Sequence, residues 1–300
     1  MTRRVVAVGE CMVELAPRAG GAGYGLGFAG DTFNTAWYLA RLRGDWAVDY
    51  LTDVGTDAVS DRMVRFMDEA GIGTGRIRRR PDATVGLYLI DLRDGERSFS
   101  YWRGQSAARG LARDPARLDA ALDGADLVYL SGITLAILPP EGRTALLDAV
   151  AAARRRGAVA AFDPNLRPRL WADGAAMRGA VEDAARVADW VLPSFDDERT
   201  HFGDADPAAT VARYQGLGAG TVVVKDGAGP IHAAAGAERA THAPRPAAAV
   251  VDSTAAGDSF NAGFLAARLD GAPLADALAR AAALARHVVG GPGALVPPPA

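Results

Sequence analysis

Val250-Val-Asp-Ser-Thr-Ala-Ala-Gly-Asp-Ser-Phe-Asn-Ala-Gly-Phe264 reads as three pieces in a row. Two β-branched residues close a strand, small residues make a tight turn, and an amphipathic helix follows with Phe260, Phe264, Leu265 and Leu269 on its apolar side. Asp258 falls in the first turn of that helix. Unpaired backbone N–H groups and the positive end of the helix dipole make such a terminus an anion site. A carboxylate placed there repels the anion that the amides attract, so it needs a task of its own. Deprotonating an attacking hydroxyl is one that fits. Phosphoryl transfer to a small alcohol uses an anion site and a base together. Taken alone, the same letters also describe a plain strand-to-helix connection with an acidic first turn.

Working outward, Val222-Val-Val-Lys225-Asp-Gly227-Ala-Gly229-Pro is a second apolar strand followed by a glycine loop. Glycines let a backbone lie against a ring or a phosphate, and they equally serve an ordinary turn. Two such loops at adjacent strand ends make a nucleotide cradle. There is no G-x-x-x-x-G-K-[ST], so a P-loop is excluded. Gly25-Leu-Gly27-Phe-Ala-Gly30 matches G-x-G-x-x-G, with Asp49 further on. A dinucleotide fingerprint must follow a strand directly, however, and the apolar run Arg4–Gly9 ends well before Gly25.

Apolar runs near Leu127–Ser131, Ala158–Asp163, Trp190–Pro193 and Thr221–Lys225 alternate with Ala/Arg-rich helical stretches. That alternation predicts an α/β fold, a doubly wound and mostly parallel sheet flanked by helices. A helix is expected from Asp31 or Thr32, either of which can cap it, to about Arg43. Another is expected from Asp57 to Ala70, and a small hairpin near Ile231–Ala234 and Ala240–His242. Thr84–Leu92 and Arg97–Arg103 flank Asp94-Gly95, a strong hairpin signal. Together with Cys11–Gly30, which holds the glycine-dense stretch Ala19–Gly30, they predict a small β-sheet lid over the carboxyl ends of the parallel strands. The expectation is one domain spanning 1–300, its lid formed from about 11–30 and 84–103, with a Pro-rich tail from Pro292 that frays.

With 300 residues and a net charge of −3, no global basic field points to nucleic acid or a membrane surface. One cysteine, Cys11, makes no internal disulfide, and no Cys/His cluster has zinc spacing. No apolar stretch is long enough to span a bilayer. The expected location is cytoplasmic. Among 33 basic residues Lys225 is the only lysine.

Asp252–Gly263 resembles the C-terminal signature of the ribokinase/PfkB sugar kinases, and Ala29-Gly30-Asp31-Thr32-Phe33-Asn34-Thr35-Ala36 resembles their N-terminal one. The resemblance covers essentially the whole chain. Gly30–Asn34, Gly86-Leu-Tyr88, Tyr101-Trp-Arg103, Ser106–Arg109, Asp163–Trp171 and Pro193–Glu198 are similar, more narrowly, to the family's 2-keto-3-deoxygluconate kinases. The resemblance implies a ribokinase-like fold, ATP and Mg²⁺ as cofactors with a monovalent cation as an optional third, and a homo-oligomer built through the lid. It implies that Gly30, Asp31 and Asn34 hold sugar hydroxyls. Tyr88, Tyr101, Arg103 and Arg167 would address the keto-acid end. Asn165, Ser194, Lys225, Gly227, Gly229 and the turn Ala255, Ala256 and Gly257 would border ATP, with Asp258 as base.

A guanidinium suits a carboxylate because it offers a planar, two-pronged donor. The bland readings are a surface ion pair for each Arg and cross-hairpin packing for Tyr88 and Tyr101. The chain departs from the family in two places. Ala255 stands where Gly is usual, so the amide anion site survives intact if that backbone stays at negative φ. The Mg²⁺-linked Asn-x-x-Glu reads Ser194-Phe-Asp-Asp197, which makes Asp197 the first candidate beside Asp196 and Glu198. The rival functions are a kinase of another sugar (2-keto-3-deoxygalactonate, fructose or ribose) and a non-catalytic sugar-acid sensor on the same fold.

Overall fold

The computed structural model describes residues 2–18, 23–93 and 96–299. The expected Asp94-Gly95 turn and residues 19–22 of the glycine-dense stretch lie outside the described residues. In chain order the strands are β1 Arg4–Val8, β2 Met12–Pro17, β3 Tyr24–Ala29, β4 Ala47–Leu51, β5 Asp53–Gly55, β6 Arg78–Arg80, β7 Leu87–Arg93, β8 Glu96–Trp102, β9 Leu127–Ser131, β10 Val159–Asp163, β11 Trp190–Val191, β12 Thr221–Val224, β13 Ile231–Ala235 and β14 Glu238–His242. Eight of them form one sheet in the order β14-β13-β12-β11-β10-β9-β1-β4. The pairs from β4 to β12 are parallel, and β12-β13-β14 is antiparallel.

The parallel strands are buried on both faces, which is why they read as continuous apolar runs. Along β1, Val5 and Ala7 enter one core while Val6 and Val8 enter the other. The first core holds Phe33 and Leu39 of helix Asp31–Leu42, Phe260 and Phe264 of helix Ala256–Leu269, and Leu278 of helix Leu274–Val288. The second lies under helices Pro140–Arg155 and Gly174–Val187. Gly263 brings the last two helices of the first core together, because a Cβ there would stand 2.9 Å from Ala281 Cα.

The chain leaves β1 for β4 on one side of the sheet and β9 on the other, which makes a topological switch point. Asp163 closes β10, and Glu10, Ser194 and Lys225 follow the carboxyl ends of β1, β11 and β12 on this edge. A separate four-stranded sheet, β3-β2-β7-β8, comes from the two segments expected to form the lid. Gly25 and Gly27 lie inside its strand β3, so the dinucleotide reading fails on context as expected.

Three local expectations are corrected. Val250 and Val251 end no strand; they are 70% and 56% exposed, and the amides of Val251 and Asp252 both donate to Val289 O. Pro244 and Pro246 just before them interrupt any ladder of donors, so β-branched residues there find no partner strand. The first helix is capped by Gly30, which puts Asp31 and Thr32 inside its first turn. The Pro-rich tail is docked: the buried Tyr38 hydroxyl donates to Ala294 O and accepts from Val296 N, and Gly293 N donates to Asp252. A buried phenol needs partners, and these tail backbone groups supply them.

Candidate active site

Helix Ala256–Leu269 begins where the glycine turn was expected, with Ala255 as its cap. Ala255 has φ +60°, the left-handed region, so the condition placed on this alanine is not met. A Cβ in that conformation costs about 1 kcal/mol. The methyl is held because it packs against both the main core and a cluster of Met12, Ala29, Tyr88, Ile90 and Ala294. The amide site itself survives in a narrower form. Ala256 N–H is taken by Ser253 O, while the Gly257 and Asp258 amides find no acceptor among the described residues.

Asp258 is half-buried, and Asn34 Nδ2 donates to its Oδ2 at 2.8 Å. Burial, reinforced by the neighbouring charge of Asp31, pushes its carboxyl up to about 8; the Asn34 hydrogen bond and the more distant Lys225 oppose the rise. Helix Asp31–Leu42 therefore carries two of the groups that act on Asp258. Its start is fixed by close contact, since a Cβ on Gly30 would stand 2.2 Å from Glu10 O. Asp31 Oδ2 accepts from Asn165 Nδ2 at 2.8 Å. Asn165, expected to border ATP, thus meets Asp31, expected on the sugar side.

Beneath this edge runs a buried polar chain that sequence reasoning missed. Lys225 Nζ donates to Asp163 Oδ2 at 3.2 Å and to Asn261 Oδ1 at 3.0 Å. Asn261 Nδ2 donates to Asp163 Oδ2 at 2.6 Å and to the Tyr129 hydroxyl at 3.0 Å. The Thr35 hydroxyl lies 3.3 Å from that phenol and 3.2 Å from Asp258 O. A polar residue closing an apolar strand, Asp163, and Asn261 one turn below Asp258 were the available signals.

On the side expected to hold the sugar, the small sheet places Tyr88 opposite both Glu14 and Tyr101. Tyr88 is buried and its hydroxyl donates to Glu14. Its ring centroid lies 5.9 Å from that of Tyr101, which is 53% exposed. The guanidinium of Arg103 does not stand free: Nε donates to Glu10 Oε2 at 2.8 Å, and the ion pair is nearly closed to solvent. Glu10 and Glu14 are the second pair that sequence reasoning missed. Arg167 is exposed, with Nη1 on Leu166 O at 2.7 Å and Asp197 at 4.0 Å.

The three acidic candidates after Ser194 separate cleanly. Asp196 is exposed and paired with Arg199. Glu198 is buried between Arg213 and Tyr214, where burial lifts it to about 7. Asp197 is half-buried; burial raises its carboxyl and Arg167 opposes the rise. Ser194 bridges Lys225 through the backbone, which sets this loop beside the Lys225–Gly229 turn. Gly227 there has φ +53°, and Gly229 N–H closes the turn on Asp226 O. Among the described residues no cluster of three His, Cys, Asp or Glu could cage a metal.

Comparison with known proteins agrees with this fold. The model of the pfkB family of carbohydrate kinases matches residues 2–300. A 2-dehydro-3-deoxygluconokinase from Dickeya dadantii is 38% identical over 304 residues, 99% of this chain and 97% of its own. A PfkB protein from Polaromonas sp. JS666 superposes with a TM-score of 0.86 at 29% identity, over 97% of each chain. A fructokinase with bound ATP from Xylella fastidiosa superposes with a TM-score of 0.84 at 26% identity, over 98% of this chain and 94% of its own. With the family model and the relatives both matching along essentially its whole length, this chain belongs to the pfkB family of carbohydrate kinases and is an ATP-dependent sugar kinase.

Proposed function

We propose that this chain transfers the γ-phosphoryl group of ATP to the C6 hydroxyl of 2-keto-3-deoxy-D-gluconate. The observation that carries the reading is Asp258. It stands at the edge shared by the amide site and by helix Asp31–Leu42, with its carboxyl raised by burial. The ionised carboxylate takes the proton of the attacking hydroxyl, and the Gly257 and Asp258 amides stabilise charge on the phosphoryl oxygens. Asn34 holds the carboxylate in place. Asp31 and Asn165, joined by a hydrogen bond, join the sugar and nucleotide sides. Arg167, the more accessible guanidinium, reads the sugar carboxylate, and Tyr88 and Tyr101 line the small sheet that closes over the sugar and excludes water.

Mg²⁺ is the cofactor this reading adds. Asp197 suits it, as a lone half-buried carboxylate with no metal cage around it, because Mg²⁺ keeps several waters and binds through phosphates and one or two carboxylates. When bound it neutralises phosphate charge. Tyr24, Leu26, Phe99, Tyr101 and Trp102 are exposed on the small sheet, which supports a homo-oligomer through that sheet, read out by light scattering at low concentration. No helix of the described residues is long and apolar enough to cross a membrane, in keeping with a cytoplasmic enzyme.

The pairing of Arg103 with Glu10 favours a second reading, a neutral sugar such as fructose, because it leaves one guanidinium fewer for a carboxylate. A coupled ADP-release assay across 2-keto-3-deoxygluconate, its galacto epimer, fructose and ribose decides between them. The gluconate epimer is expected to give the highest kcat/KM. Equal or better turnover of fructose or ribose overturns the sugar-acid assignment.

A further inference from the structure

Lys225 is the chain's only lysine, and it is 9% exposed. An ammonium has three N–H donors. Two of them are held by Asp163 and Asn261, and the third has no partner among the described residues. Burying a charged donor without an acceptor is costly, so such a group marks a place where an acceptor arrives. The direction is given by Gly257. A Cβ built on that residue would stand 3.8 Å from the Lys225 ammonium, so the charge lies against the same turn whose Gly257 and Asp258 amides are free. Asn261 and Asp258 belong to one helix, and Asn261 ties the ammonium to it. Arginines fill every other basic position. A guanidinium would be too large and flat for a point contact at this depth, whereas a compact ammonium suits one phosphate oxygen.

We infer that Lys225 is a phosphoryl-contacting catalytic residue, its third N–H donating to an oxygen of the group in transfer rather than to the nucleoside. This rests on the phosphoryl-transfer reading above and deepens it. In that step the sugar oxygen forms its bond to phosphorus and the bond from phosphorus to the bridging oxygen of ADP breaks. The electron pair leaves with ADP, the hydroxyl proton passes to Asp258, and Lys225 keeps its protons throughout. Its charge counters what builds on the equatorial oxygens, while Asp163 and Asn261 hold it in position.

A single lysine makes the test direct. With ¹⁵N-lysine labelling the wild-type protein has one side-chain ammonium resonance. Magnesium with an ATP analogue carrying a methylene bridge between the β- and γ-phosphates is expected to shift that resonance strongly, and magnesium with ADP to leave it nearly in place. Equal shifts with both nucleotides overturn the inference, because the contact then lies elsewhere on the nucleotide. Kinetics supply the second arm. Lys225→Met should lower kcat by roughly 10²–10³-fold with KM for ATP changed by less than about threefold, and Lys225→Arg should recover only part of the loss. A kcat within about threefold of wild type in Lys225→Met overturns it. If Asp163, left unpaired, prevents that variant from folding, Lys225→Met combined with Asp163→Asn carries the same comparison, and the wild-type spectra stand regardless. A normal nucleotide response without turnover of the keto acid would fault the sugar assignment alone.

Discussion

The two walls of the site are built on opposite principles. Around Asp258 the polar groups come from distant points of the chain and interlock: Asn34 reaches Asp258, Asn261 reaches Asp163, and Lys225 joins both. That wall is interlocked and largely buried, yet among the described residues it leaves two amides, one carboxylate oxygen and one ammonium N–H unclaimed. On the small sheet the reverse holds. Arg103 is already matched by Glu10 and the Tyr88 hydroxyl by Glu14, while aromatic surface stays exposed. Under the proposed function the first wall meets a phosphate, which is always the same ligand. The second meets one particular sugar and must refuse others, and acids already paired with their donors are a device for that.

Replacing the base should break the comparison most sharply. Asp258→Asn keeps the amides and the Asn34 contact, so ATP should still bind, while kcat falls about 10²–10⁴-fold. The variant should also be the more stable protein in alkali. A carboxyl raised to about 8 in the fold contributes stability that is complete below its ordinary value near 4 and is lost as pH rises through about 8. Thermal melts at pH 6 and pH 9 read this out: wild type should lose more on going to pH 9 than Asp258→Asn does. Unchanged turnover, or equal pH sensitivity of both proteins, would sink the assignment.

The two arginines should separate next. Arg103→Ala leaves Glu10 buried without its partner, which typically costs about 3–5 kcal/mol of stability. Adding Glu10→Gln should return much of it. Arg167→Ala removes an exposed side chain, so stability should hold while the keto acid loses far more kcat/KM than fructose does. If Arg103→Ala folds as well as wild type but discriminates against the keto acid, the roles are exchanged.

Ala255→Gly should have the smallest effect. Relief of a left-handed alanine is worth about 1 kcal/mol, or roughly 2 °C in Tm for a chain this long, with turnover nearly unchanged. A fall in Tm would show that the methyl contact to the Met12–Tyr88–Ala294 cluster outweighs the backbone strain.

Much of the large sheet was legible because its strands are buried on both faces. Leu127–Ser131 and Thr221–Val224 announce themselves as apolar runs between helices. The start of helix Ala256–Leu269 was legible because small residues precede an amphipathic pattern. What escaped depends on contacts between distant segments. Nothing local tells that Arg103 meets Glu10, since that pairing follows from how β2, β7 and β8 align. Val250 and Val251 look like a strand to a local eye, but a strand needs a neighbour, and none is offered. Tyr38, not its own composition, anchors the Pro-rich tail.

That the two walls meet at Asp258 is tested most directly by the product. Incubation of the wild-type protein with magnesium, ATP and 2-keto-3-deoxy-D-gluconate, followed by ³¹P NMR, should show one phosphate monoester coupled to the two protons of C6, formed in step with ADP. Inorganic phosphate without a sugar ester, or an ester at another carbon, would contradict it.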